Sequence, residues 1–147
     1  MIRLTTFVTA ALGVALLTGA APARAQDTAT LTVTFEGIKT QKGAVMFVLS
    51  AGEAAYDGKA APAGQAMLPA TAASVSQTFR GLAPGRYGIK AFHDLDGDGK
   101  MGSNPFGMPT EPFAFSNNAP ASMGPPGWGA ASFEVRAGDN THVITMD

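Results

Sequence analysis

The strictest constraint in this sequence is a two-residue hydrophobic period that recurs in short blocks and never yields to a sustained helical one. From Thr30 to Glu36, Leu31, Val33 and Phe35 fall on one face and threonines on the other, which is the pattern of a strand with one side buried. Ala44 to Ser50 is a more continuous apolar run through Val45, Met46, Phe47, Val48 and Leu49. Such a run predicts a central strand covered on both sides. Ser74 to Arg80, with Val75 and Phe79, is a third candidate. Gly81-Leu82-Ala83-Pro84-Gly85 makes a tight turn into Arg86 to Phe92, where Tyr87, Ile89 and Ala91 alternate. Ala131 to Val135 and Thr141 to Met146 predict a closing hairpin with its turn at 137–140. Glu53 to Ala73 is rich in small residues and has room for a helical turn, limited by Pro62 and Pro69. Six or seven short strands joined by Gly/Pro turns predict an all-β chain folded as a single antiparallel β-sandwich.

The first 25 residues are expected to lie outside that fold. Arg3 gives a basic start, Phe7 to Leu17 an apolar core, and Ala23-Arg24-Ala25 a small-x-small cleavage site, so residues 1–25 read as a secretory signal peptide. Residues 26–147 then form the single domain, and the expected location is periplasmic or secreted in a bacterium. The apolar stretch is short for a membrane span, so no membrane insertion is expected once the signal is cleaved. Without Arg3 and Arg24, eight basic side chains face eleven acidic ones. That mild acidic balance argues against nucleic acid as a partner. The chain has no cysteine, so rigidity in an exported domain must come from packing or from a metal.

Past Leu95 the chain changes character. Leu95 to Gly129 is dense in glycine and proline, and a loop of this length inside a compact domain usually means function or disorder. Phe106, Met108, Phe113, Phe115 and Trp128 supply packing groups, so one long ordered excursion at one end of the sandwich is expected. It opens on His93-Asp94-Leu95-Asp96-Gly97-Asp98-Gly99-Lys100, the front half of a calcium loop. Carboxylates stand at its first, third and fifth positions, glycine at its sixth, and a backbone carbonyl (Lys100) at its seventh. Three carboxylates this close repel one another unless a cation lies between them. The twelfth position is Pro105 rather than glutamate, and prolines exclude a following helix, so this is not an EF-hand. The closing ligands are expected from Asn104 and from Glu111, the only carboxylate in the stretch after the loop. The expected set is therefore Asp94, Asp96, Asp98, Lys100, Asn104 and Glu111 around a structural Ca2+. Magnesium holds fewer protein ligands and zinc prefers nitrogen and sulfur. The plainer alternative is a solvated acidic turn whose aspartates bond their own backbone.

No nucleophile stands in a recognisable motif, and no catalytic residue is expected. His93 should point opposite to Phe92 and is expected to brace the loop, and His142 to be an exposed strand residue. The leading expectation is a non-enzymatic binding or accessory module whose ligand is a protein or a glycan. One alternative is a metal-assisted hydrolase with His93 or Glu111 as base. Another is a carbohydrate-binding module in which Trp128 stacks on a sugar beside Asn117 and Asn118. Against the latter, Trp128 and the phenylalanines are expected to cover the open end of the sandwich.

His93-Asp94-x-Asp96-x-Asp98-Gly99-Lys100, Asn104-x-Phe106-Gly107-x-Pro109-x-Glu111 and Phe115-Ser116-Asn117-Asn118-Ala119 together resemble the bacterial secreted family catalogued as domain of unknown function 2141. The resemblance runs from about Leu31 to Met146 and includes Gly43 to Leu49 and Leu82-x-Pro84-Gly85-x-Tyr87. Members often carry an acidic residue shortly after the Gly-Lys pair, where this chain has Gly102. The resemblance implies an exported β-sandwich with no assigned activity. The Pro84-Gly85-x-Tyr87 turn is also similar, in fold alone, to those of transthyretin-like and carboxypeptidase-regulatory-like sandwiches, so the sandwich is expected to be Ig-like or transthyretin-like.

Overall fold

The computed structural model describes residues 27–146, so the expected signal peptide lies outside the described residues. Eight strands form two sheets. In the first, β1 (Ala29–Glu36) is central. It pairs antiparallel with β4 (Ser74–Leu82) and parallel with β8 (Gly138–Thr145). In the second sheet the order is β3 (Gly64–Pro69), β2 (Ala44–Ala51), β5 (Gly85–Asp94) and β6 (Phe113–Phe115). β5 serves two short partners along one edge. β6 pairs with Lys90–Phe92, and β7 (Phe133–Val135) pairs with Gly85–Tyr87. Two four-residue helices, α1 (Glu53–Tyr56) and α2 (Trp128–Ala131), and a 3-10 turn at Ser116–Asn118 complete the elements of the described residues.

The alternation of β1 dictates the core. Leu31, Val33 and Phe35 are fully buried and meet Val45, Phe47 and Leu49 of β2 and Ile89 of β5 across the sandwich. Phe47 lies 4.8 Å from Phe35 and 5.8 Å, edge-on, from Phe79, the tilted and T-shaped contacts that aromatic quadrupoles favour. The outward residues of β1 are Thr30, Thr32, Thr34 and Glu36. Thr32 bonds Thr78 and Thr34 bonds Ser76 across the ladder, each at 2.9 Å. This face is built for water.

The all-β sandwich expected from the sequence is the one observed, with differences in detail. Eight strands replace six or seven, because Gly64–Pro69, within the stretch of small residues, pairs with β2, and Phe113–Phe115, within the excursion, pairs with β5. Gly64 is required there, since a Cβ would lie 2.7 Å from the Phe79 ring. The expected closing hairpin does not exist. β7 joins the second sheet and β8 the first, so the chain crosses the sandwich between them. Asn140 holds that corner by accepting the Arg136 N–H and donating to the Arg136 and Gly138 carbonyls. β8 then runs parallel to β1, so the sandwich is not wholly antiparallel. β2 is not covered on both sides: Val45, Phe47 and Leu49 are buried, whereas Met46 and Val48 face outward. The 95–129 excursion is ordered by pairing, with β6 in the sheet and Ser103 bridged to Pro109.

Candidate functional site

The acidic loop begins where β5 ends. Ala44 pairs with Asp94, and Gly43 before it has φ +69°. A Cβ on Gly43 would lie 1.9 Å from the Asp94 carbonyl oxygen, so glycine alone admits this approach. Asp94 is buried, and its two carboxylate oxygens accept the Gly97 and Gly99 N–H groups at 2.7 and 2.9 Å. Seventeen residues on, Glu111 is also buried and folds back onto the loop. It accepts the Leu95 N–H at 2.8 Å and the Gly102 N–H at 2.9 Å. Asp96 is exposed and accepts the Asp98 N–H.

Asp94, Asp96 and Glu111 each offer an oxygen within 4.8 Å of the others. Two calcium ligands on opposite sides of one ion stand roughly 4.6–5.2 Å apart, so the three oxygens fit a single calcium shell. The remaining expected ligands are placed differently. Asp98 does not converge with these three, and its Oδ1 accepts the Lys100 N–H at 2.8 Å. Asn104 turns its side-chain oxygen to the Phe106 and Met108 N–H groups, at 2.9 and 3.0 Å, inside its own turn. The aspartates thus make the Asx bonds of the plainer alternative and also supply a ligand cluster.

His93 points away from Phe92, as expected, and is 2 % exposed. Its Nε2–H donates to the Lys42 carbonyl at 2.6 Å, and its N–H to the Pro112 carbonyl at 2.8 Å. These bonds tie the β1–β2 connection and the far side of the excursion to the root of the loop. The cavity beside it is about 30 Å³, room for a water and no more.

Trp128 is half-buried and lies against Tyr56, ring centroids 5.7 Å apart. Both rings press on Gly88, where a Cβ would approach them to 2.8–2.9 Å. The Tyr56 hydroxyl donates to the Pro126 carbonyl, and burial, with Asp57 second, pushes its pKa up to about 12. The asparagine pair is structural. The Asn117 amide donates to the Ala130 and Ser132 carbonyls, and Asn118 accepts the Thr145 N–H. Both are in the left-handed region that asparagine tolerates. Ser116 between β6 and these asparagines is wholly buried; it accepts the Ile89 N–H and donates to the Ala131 carbonyl. His142, expected to be exposed, faces inward, stacks on Phe133 at 3.8 Å and accepts the Asn117 N–H at its Nε2.

A groove of about 1260 Å³ runs over the outer face of the second sheet. Its floor is Met46 and Val48 of β2, Met67 of β3, and Lys90 and Phe92 of β5. The excursion overhangs it, bringing Met101, Phe106, Met108 and Met123. Phe106 is 91 % exposed, Met67 63 % and Met108 62 %. Five of the seven methionines line the groove. Contiguous exposed apolar surface of this kind marks a binding face, and thioether side chains adapt to varied ligands. Its trace in the sequence is the unbroken apolar run of 44–49, which by itself reads as double burial. The second covering layer is a trough rather than packed protein.

A family model described as an uncharacterized protein conserved in bacteria (DUF2141) matches residues 33–144. No curated protein and no solved structure matches the chain.

Proposed function

This chain belongs to the DUF2141 family, and from there we propose that it is an exported, non-enzymatic binding module whose acidic corner holds Ca2+ to set the excursion over the groove. The observation that carries the reading is the convergence of Asp94, Asp96 and Glu111 within 4.8 Å at the root of that excursion. Asp94 and Asp96 belong to the loop and Glu111 to the segment returning to β6, so one ion would tie together both ends of 95–112. Periplasmic or secreted location is proposed from the N-terminal pattern of Arg3, Phe7 to Leu17 and Ala23-Arg24-Ala25. His93 acts as a brace in this reading, because its Nε2–H is committed to the Lys42 carbonyl. Trp128 acts as packing in this reading, because its ring lies against Tyr56 and Gly88.

Calcium at a hundredfold excess over its dissociation constant stabilises a folded protein by about 2.7 kcal/mol, and in a domain of this size that raises Tm by roughly 10 °C. The expected result is a Tm that rises with calcium, falls with a chelator, and no longer responds in Asp96→Ala. Asp96 is exposed at the loop, so this variant retains the fold. A wild-type Tm indifferent to both calcium and chelator would sink the metal, and the excursion would then stand on its hydrogen bonds alone.

A further inference from the structure

The two sheets differ in what they turn outward. The first shows threonine and serine hydroxyls paired across its ladder, and the second shows Met46, Val48, Met67 and Phe92. We infer that the groove binds a single-chain amphiphile with an anionic head, a long-chain carboxylate, its tail along Met46, Val48 and Met67 and its head at Lys90. This rests on the binding-module reading and names the ligand of that module.

Among the described residues, Lys90 is the only charged side chain lining the groove, and Gln65 the only other polar one. The Lys90 ammonium lies 4.2 Å from the Tyr56 ring centroid and donates to the Tyr56 carbonyl at 2.7 Å. An ammonium has three donors, so two remain. The ion pairs among the described residues are Lys59–Asp57 and Arg136–Glu134, and neither engages Lys90. The groove thus presents one uncompensated positive charge in a methionine and aromatic trough, complementary to one negative charge on an otherwise apolar molecule. A peptide fits this floor less well. The backbone groups of β2 and β5 are committed to their ladders on both sides, so a peptide's N–H and C=O groups laid on the floor would find almost no partners. An acyl chain has none to satisfy. A sugar would need a polar lining the groove lacks. At about 1260 Å³ the groove exceeds the usual range of compact small-molecule pockets, roughly 300–1,000 Å³, which suits an extended ligand.

The test is calorimetric titration of the protein, loaded with one equivalent of calcium, with dodecanoate, dodecanol and dodecyltrimethylammonium below their micelle concentrations. Methionine-methyl NMR locates the binding. Dodecanoate is expected to bind about tenfold or more tightly than the cationic probe, with the largest shifts at Met46, Met67 and Met108. Lys90→Gln should bring the three probes to similar affinity, and Met67→Glu should weaken all of them. Should Lys90→Gln lose the fold, Met67→Glu on the exposed edge of the groove still decides whether this face is the site. Absence of dodecanoate binding, equal affinity for both charged probes, or shifts away from the groove would overturn the inference. Binding to anionic phospholipid vesicles without binding monomeric dodecanoate would overturn it too, in favour of a membrane surface. A protein that melts higher with calcium yet ignores dodecanoate keeps the metal and loses the amphiphile; the reverse result loses only the metal.

Discussion

Two histidines show how place decides the work of one side chain. His93 has its Nε2–H fixed on a carbonyl and holds the root of the loop. His142 instead accepts an N–H and stacks on Phe133. Burial holds the His142 pKa below the ordinary histidine value, because the charged form is the one that suffers from lost water. Protonation would also cost Nε2 its role as acceptor. The sign follows. The folded state prefers neutral His142, so its contribution is complete above the unfolded pKa of about 6.5 and is lost as pH falls through that value toward the lower folded one. With calcium saturating, Tm should drop between about pH 7.5 and about pH 5.5, and His142→Gln should flatten that part of the profile. Parallel profiles for the two proteins would remove His142 from the acid sensitivity.

At the scale of the element, β2 is the informative strand, since its faces obey different rules. Phe47 is buried between Phe35 and Phe79, and Phe47→Ala should cost about 3–5 kcal/mol. Met46, one residue before, faces the groove, and Met46→Gln should stay within about 0.5 kcal/mol of the wild type. Urea unfolding of the two variants measures both; comparable losses would mean that the groove is packed core. The strand itself was legible in the sequence, as were β1 and β5, whose alternation points one way only. The groove was not legible, because an apolar run reads the same whether protein or a trough lies above it. Glu111 was legible as the only carboxylate in the stretch 99–129 that follows the loop, and the fold does return it to Asp94. Asn104 was chosen by spacing alone, and what spacing does not show is that its side-chain oxygen accepts two N–H groups of its own turn. The hairpin failed for a similar reason. Adjacent strands suggest a hairpin, but the Asn140 corner sends the second of them to the other sheet.

For the whole molecule the governing fact is that β1 lies between β4 and β8. The eight residue pairs of β1 with β8 run from Ala29–Gly138 to Glu36–Thr145, and inward-facing Ile144 is fully buried. Removing β8 would uncover that edge and the side of Phe35 that Ile144 closes. A chain ending at Arg136 should therefore show no cooperative thermal transition, where the full chain shows one; a sharp transition in the shortened chain would mean that the second sheet carries the fold unaided. Contacts between such distant segments also slow folding, because a large loop must close before they form. That has a meaning in time as well as in space. During synthesis, the founding strand must wait for Gly138 and the residues after it to emerge before its second neighbour arrives, and until then one flank of that strand has nothing to join.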